Sequence, residues 1–174
     1  MDRLAEFLPS AEKGYLPYYL WVISIVSMGN ALQNYVTLHY TRRIYNGRFV
    51  PNRSLPPASD KFNPEDSLAK LKPASSTDKD SEKAAQDQVT PLAARLFGTY
   101  TFMAGIIRFY ASYELESRFL YHLAFWTHAI AAVHFTSEML VFRTIRFSGP
   151  QIFPFLAAYS GSIWMIMQYS NYVQ

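Results

Sequence analysis

His134 and Glu138 stand four residues apart, a spacing that stacks two side chains on one face of a helix. A histidine beside a carboxylate suits either of two tasks. It can pass a proton to or from a lipid as an acid/base pair, or it can be a buried polar pair that fixes helix packing. No third group lies nearby in sequence, which favours packing. His122, His128 and His134 recur every six residues, and six helical steps of ~100° leave the three rings about 120° apart. One metal cannot be held by them from a single helix face. Only four histidines exist, without an H-x-x-H or H-x-x-x-H pair, so the ligand set of a metal-dependent membrane oxygenase is missing. The chain has no Cys, which removes disulfides, thiolate metal sites and a thiol nucleophile. Its seven glycines never form a G-x-G, so neither a dinucleotide fingerprint nor a phosphate loop is present.

Asn30, Gln33, Asn34 and Thr37 fall at helical spacing on one face about 100° wide. They are costly in an apolar setting unless they bond to neighbouring helices or to a polar group of a partner or lipid. Arg108 interrupts an apolar stretch, where its long stem can carry the charge to an interface as an anchor. Ala157 with Gly161, and Ala158 with Ser162, are small residues four apart that let another helix come close.

These residues need helices to position them. Mean hydropathy is near zero, but this averages very apolar and very polar segments. Between His39 and Leu92 lie nine Lys or Arg and seven Asp or Glu, more than half of all 29 charges. The rest is charge-poor and rich in aromatics, with Tyr and Phe at 13 copies each, as suits helices ending in a lipid headgroup layer. The net charge of +3 comes without a one-sided basic face, which excludes a nucleic-acid binder.

The expected architecture is all-α, a bundle of four transmembrane helices at about residues 18–38, 96–113, 119–142 and 152–169, in one membrane domain spanning 1–174. The first carries no charge and is long enough for a hydrocarbon core of ~30 Å at ~1.5 Å per residue. Pro17 sits at its start, where a missing N–H matters least. Residues 1–13 lack the basic and apolar regions of a cleavable signal peptide. Residues 41–88, with five prolines and many Ser, Asp and Lys, read as a polar, largely disordered loop; a brief helix around Leu68 and Leu71 is the lesser alternative. Short connections at 114–118 and 143–151 make the last three helices antiparallel neighbours. Arg42, Arg43, Arg48, Arg95, Arg143 and Arg146 fall on one side, so the positive-inside rule puts the long loop in the cytosol. The sequon Asn52-Arg53-Ser54 would reverse that orientation if glycosylated.

The residues that are odd for a generic bundle resemble the ergosterol biosynthetic protein 28 family over nearly all of the chain outside the long loop. The likeness is carried by Lys13-Gly14-Tyr15-Leu16-Pro17, by Ser24, Ser27, Asn30, Gln33 and Tyr35, and by Thr41-Arg42-Arg43 with Tyr45. It continues through Ala94-Arg95, Phe97-Gly98-Thr99, Arg108, Tyr110 and Ala111, then His134-Phe135, Ser137-Glu138, Phe142, Gly149-Pro150 and Trp164. The stretch from Pro51 to Gln88 departs from the family pattern in its length, as an insertion does.

This resemblance implies a multi-pass protein of the endoplasmic-reticulum membrane, without catalysis or cofactors of its own, that holds together the enzymes removing methyl groups from carbon 4 of sterols. Those partners are a methyl oxidase, a decarboxylating dehydrogenase and a 3-ketoreductase, and self-association is expected as well. Residues too polar for lipid are the expected contacts: Asn30, Gln33, Asn34, Arg95, Arg108, His134 and Glu138. The competing class is a small lipid enzyme such as a sterol isomerase using His134 or Glu138. A channel or transporter is weaker still, because no repeat or series of charges marks a path.

Overall fold

The computed structural model describes residues 7–56, 70–75 and 83–173. Its elements are helix α1 (Leu16–Val36), the short helix α2 (His39–Ile44), strands β1 (Phe49–Pro51) and β2 (Leu71–Pro73), and helices α3 (Pro91–Tyr113), α4 (Arg118–Leu140) and α5 (Gly149–Tyr172). Local signals account for the helix starts. Pro17 and Pro91 occupy first-turn positions, where proline costs no hydrogen bond. Thr90 accepts from the Ala93 N–H at 3.1 Å and Ser117 from the Leu120 N–H at 3.5 Å, each satisfying an orphan donor. At α5 the Gln151 Oε1 accepts from the Ser148 N–H at 3.0 Å. The Gln151 amide also donates to the Ile44 carbonyl at 2.9 Å, so one fully buried side chain starts α5 and ends α2.

Helix α1 packs chiefly on α3, α3 also on α4, and α4 on α5. The α1–α3 seam is built from small residues. A methyl group added at Gly98 would stand 3.1 Å from the Ala31 carbonyl oxygen, and one at Gly105 would stand 3.2 Å from that of Ser24. Two apolar clusters flank the seam. Leu16, Leu20, Leu115, Tyr121, Met165 and Tyr172 gather at one end, and Ile44, Ala131, Phe135, Ile145 and Ala158 at the other.

Two expectations are corrected. The helices are long, at 21, 23, 23 and 24 residues, but among the described residues none is long and apolar enough to cross a membrane. Four transmembrane spans are therefore not found. The spans were delimited by missing charge, and the neutral polar groups of α1, which holds Ser24, Ser27, Asn30, Gln33 and Asn34, were assigned to contacts instead of being counted against its apolarity. The sidedness argued from basic residues depended on those spans and falls with them.

The segment 41–88 is also not uniformly irregular. It contains most of α2 and an antiparallel strand pair in the register Phe49↔Pro73, Val50↔Lys72 and Pro51↔Leu71, and Phe49 bridges Gln86. Phe49, Ala85 and Val89 are buried, so a few apolar residues anchor the two ends of this segment to the body. The alternative helix around Leu68 and Leu71 lies partly outside the described residues, and Leu71 itself is in β2.

Candidate functional site

The inward face of α1 repeats at steps of three and four: Leu20, Ile23, Ser24, Ser27, Ala31 and Asn34 are buried. Opposite this face, α3 presents Ala104, Gly105, Arg108 and Ser112. The result is an interior with an unusual share of polar groups. Arg108, only 7% exposed, is its centre. Its Nε donates to the Thr127 hydroxyl at 2.8 Å, Nη2 to the Thr127 carbonyl at 3.2 Å and Nη1 to the Ser27 hydroxyl at 3.2 Å. Three neutral acceptors from α1 and α4 thus hold one cation on α3. Such bonds offset part of the cost of burying a charge.

Arg108 lies on the wall of a cavity of about 350 Å³ shared by all five helices. Asn30 and Gln33 of α1, Tyr40 of α2, Tyr100 of α3, His128 of α4 and Ala157 of α5 line it as well. His128 is fully buried. Its Nδ1 lies 3.0 Å from the Ala124 carbonyl, which makes Nδ1 the proton-bearing nitrogen and leaves Nε2 as an acceptor. Burial, reinforced by the Arg108 charge, pushes the His128 pKa down to about 3, so the ring is neutral.

A second cavity of about 460 Å³ lies alongside, and Phe97 and Tyr100 line both. Here the Tyr45 hydroxyl meets His134 Nε2 at 2.7 Å, and His134 Nδ1 stands 3.9 Å from the Glu138 carboxylate. The Thr144 hydroxyl donates to the other carboxylate oxygen. His134 and Glu138 of α4, Thr144 just beyond it and Tyr45 at the end of α2 form a polar chain able to hold or pass a proton. Burial lowers the His134 pKa, with Glu138 opposing the shift.

The seven residues expected to make partner contacts are thus divided. Asn30, Gln33 and Arg108 come together at the first cavity, and His134 with Glu138 at the second. Asn34 is buried, accepting from the Thr41 hydroxyl at 2.6 Å. Arg95 is exposed and lines neither cavity. Thr37 ends α1, where its hydroxyl accepts from the His39 N–H at 3.2 Å. The small residues of α5 face inward, Gly161 against His128 and Tyr19. His122 stacks on Tyr169, so the three histidines of α4 have separate surroundings. No group of three or more His, Asp or Glu among the described residues could hold a metal.

Sequence reasoning missed Ser27 and Thr127 as partners of Arg108, and Tyr45 as the partner of His134. It also passed over Tyr100, which borders both cavities. A usable signal was present for Ser27: with Ser24, Ala31 and Asn34 it makes a 3-4-3 series of small or polar residues, the pattern of a helix face that meets another backbone closely.

Outside, the helices are apolar. Val22, Ile25 and Leu32 on α1, Trp126 and Val133 on α4, and Leu156, Ile166 and Met167 on α5 are all exposed. Apolar surface of this extent marks a place where something else packs.

Comparison with known proteins connects this arrangement to a single family. Residues 16–163 match the family model described as Erg28 like protein. The chain is 51% identical to Ergosterol biosynthetic protein 28 of Gibberella zeae, covering 100% of this chain and 99% of the relative. It is 33% identical to the protein of that name from Candida albicans, over 97% and 95% of the two chains. For the Saccharomyces cerevisiae protein the identity is 31%, over 95% and 87%. No solved structure matches the chain.

Proposed function

The chain belongs to the Erg28-like protein family, and on that premise we propose that it acts in sterol biosynthesis as a non-catalytic scaffold. Its partners are the carbon-4 demethylation enzymes: a methyl oxidase, a decarboxylating dehydrogenase and a 3-ketoreductase. The observation that carries this reading is the inverted distribution of polarity. Ser24, Ser27, Asn34, Thr41, Arg108 and Gln151 are buried, while large apolar side chains cover the outer faces of α1, α4 and α5. The interior polar groups bind the helices to each other, and the apolar exterior is left to meet partners. A tether raises the effective concentration of successive enzymes around an insoluble intermediate without lowering any chemical barrier. The same reading locates the protein at the endoplasmic-reticulum membrane, a setting in which exposed apolar faces find cover.

The test is to purify the tagged protein in mild detergent, identify its companions, and assay sterol conversion with and without them. Co-purification of the three enzymes, with no turnover by the chain alone, supports the scaffold. Turnover by the chain alone refutes it. The polar chain Tyr45–His134–Glu138–Thr144 beside a cavity favours a second reading, a small lipid enzyme. Glu138→Gln separates the two: it abolishes turnover that needs an ionisable proton but leaves partner capture intact.

A further inference from the structure

The first cavity holds an imbalance that the scaffold reading does not use. Arg108 is a buried cation whose hydrogen-bond partners are all neutral. Among the described residues no Asp or Glu lines its cavity. A guanidinium carries five N–H donors, and the bonds to Ser27 and Thr127 engage three of them. Among the described residues five side-chain polar atoms are buried without a partner, and Asn30 Oδ1, Tyr100 OH and His128 Nε2 are three of them. All three residues line this same cavity. Buried polar groups are nearly always satisfied, so unpartnered donors and acceptors gathered on one cavity wall point to a polar ligand as their partner.

We propose that this cavity binds one apolar carboxylic acid, with its carboxylate on Arg108 and its hydrocarbon body among Ile23, Ala104, Ala131 and Phe135. Size, polarity and access agree. About 350 Å³ is within the range that accepts a compact small molecule, which is ~300–1,000 Å³. Apart from the polar groups named and from Gln33, Tyr40 and Thr101, the wall is aliphatic and aromatic. Val26, 43% exposed, and Phe153, 50% exposed, both line the cavity and reach the surface, marking a mouth between α1 and α5. The carboxylate takes the free Arg108 donors in charge-assisted bonds, and Tyr100 OH adds another donor. A hydroxyl on the same molecule would give its proton to His128 Nε2, which is an acceptor while its ring is neutral.

This inference rests on the proposed function in one respect, the identity of the acid in the cell. Oxidation of a methyl group to a carboxyl produces such an acid, and an oxidative decarboxylation consumes it. A scaffold between those two reactions would hold the species passed from one to the other.

The experiment measures equilibrium binding of tritiated abietic acid, a compact tricyclic carboxylic acid, to the purified full chain in mild detergent. Methyl abietate serves as the uncharged control. Saturable one-to-one binding is expected, weaker for the ester by about tenfold or more, as the loss of a charge-assisted pair implies. Arg108→Met should erase the preference for the acid, and Ala157→Phe, which fills the cavity while leaving Arg108, should abolish binding of both. Equal affinity for acid and ester, or no saturable binding to the unaltered protein, overturns the proposal without any variant needing to fold. Since no partner enzyme is present, failure here is distinct from failure of the scaffold to capture its companions.

Discussion

Gly161→Ala offers a quantitative check of how closely α5 approaches α4 and α1. The added methyl carbon would lie 2.2 Å from His128 Cδ2 and 2.7 Å from the Tyr19 hydroxyl. Neither neighbour gives way easily, because His128 is fully buried and bonded to Ala124, and Tyr19 donates to the Ala157 carbonyl at 2.7 Å. Forcing extra volume into a packed interior costs about 1–3 kcal/mol, and contacts this short belong at the upper end. Against that, alanine gains about 1 kcal/mol over glycine in a helix interior. The net loss is therefore about 2 kcal/mol, which for a chain of this size lowers the melting temperature by about 4–8 °C. Thermal unfolding followed by circular dichroism in mild detergent reads this directly. Repeating the change in a His128→Ala background should recover at least about 1 kcal/mol, as coupling between touching residues requires. A Gly161→Ala protein as stable as its parent, or one whose loss is unaltered by His128→Ala, would refute the packing described here.

The remaining predictions concern the polar interior. Since His128 is held neutral with its pKa at about 3 against about 6.5 when unfolded, the unfolded chain binds more protons across that window. Stability contributed by the neutral ring is complete above pH 6.5 and falls as pH drops towards 3, by up to about 1.4 kcal/mol per unit. Denaturant unfolding of His128→Gln should show a shallower fall over that range, and an unchanged slope would contradict the assignment. Thr41→Val deletes the donor to Asn34 Oδ1 and strands a buried amide; the expected loss is about 1–3 kcal/mol, read as a lower urea midpoint at constant m-value. Tyr45→Phe breaks the 2.7 Å contact to His134 and should raise the His134 accessibility to diethyl pyrocarbonate while leaving acid binding in the Arg108 cavity unaltered.

Much of the helix pattern was legible because it rests on local chemistry: runs poor in charge, prolines in first turns and hydroxyl caps are all visible along the chain. The same is true of the His134–Glu138 pair, whose adjacency follows from helix geometry, but only in part of Arg108: its oddity in an apolar segment was visible, whereas the expected anchor reaching an interface is in fact buried, 7% exposed, on Ser27 and Thr127. What could not be read was who answers them. Ser27 is 81 residues from Arg108 and Tyr45 is 89 from His134, and no periodicity spans such distances. The membrane spans were misjudged for a different reason. Asn34 stands out in the sequence as a costly group in lipid, but only formal charge set the limits of the spans, and amides and hydroxyls lower the apolarity of a helix nearly as surely as a charge interrupts it. The ordered parts of segment 41–88 escaped notice because Phe49, Ala85 and Val89 acquire their anchoring role only when the body beneath them is assembled.

The pairing of α1 with α3 has a consequence for how the chain is made. Helix α1 leaves the ribosome early, but its principal partner is not complete until Tyr113. At ~5–20 residues per second, α1 therefore waits roughly 4–15 s. Meanwhile its Ser24, Ser27 and Asn34 face lacks the α3 surface it will later meet, and Val22, Ile25 and Leu32 on the other side remain uncovered. Whatever shelters that helix during the interval acts before the fold is complete, which makes the order of synthesis, and not just the finished contacts, part of what determines the yield of folded protein.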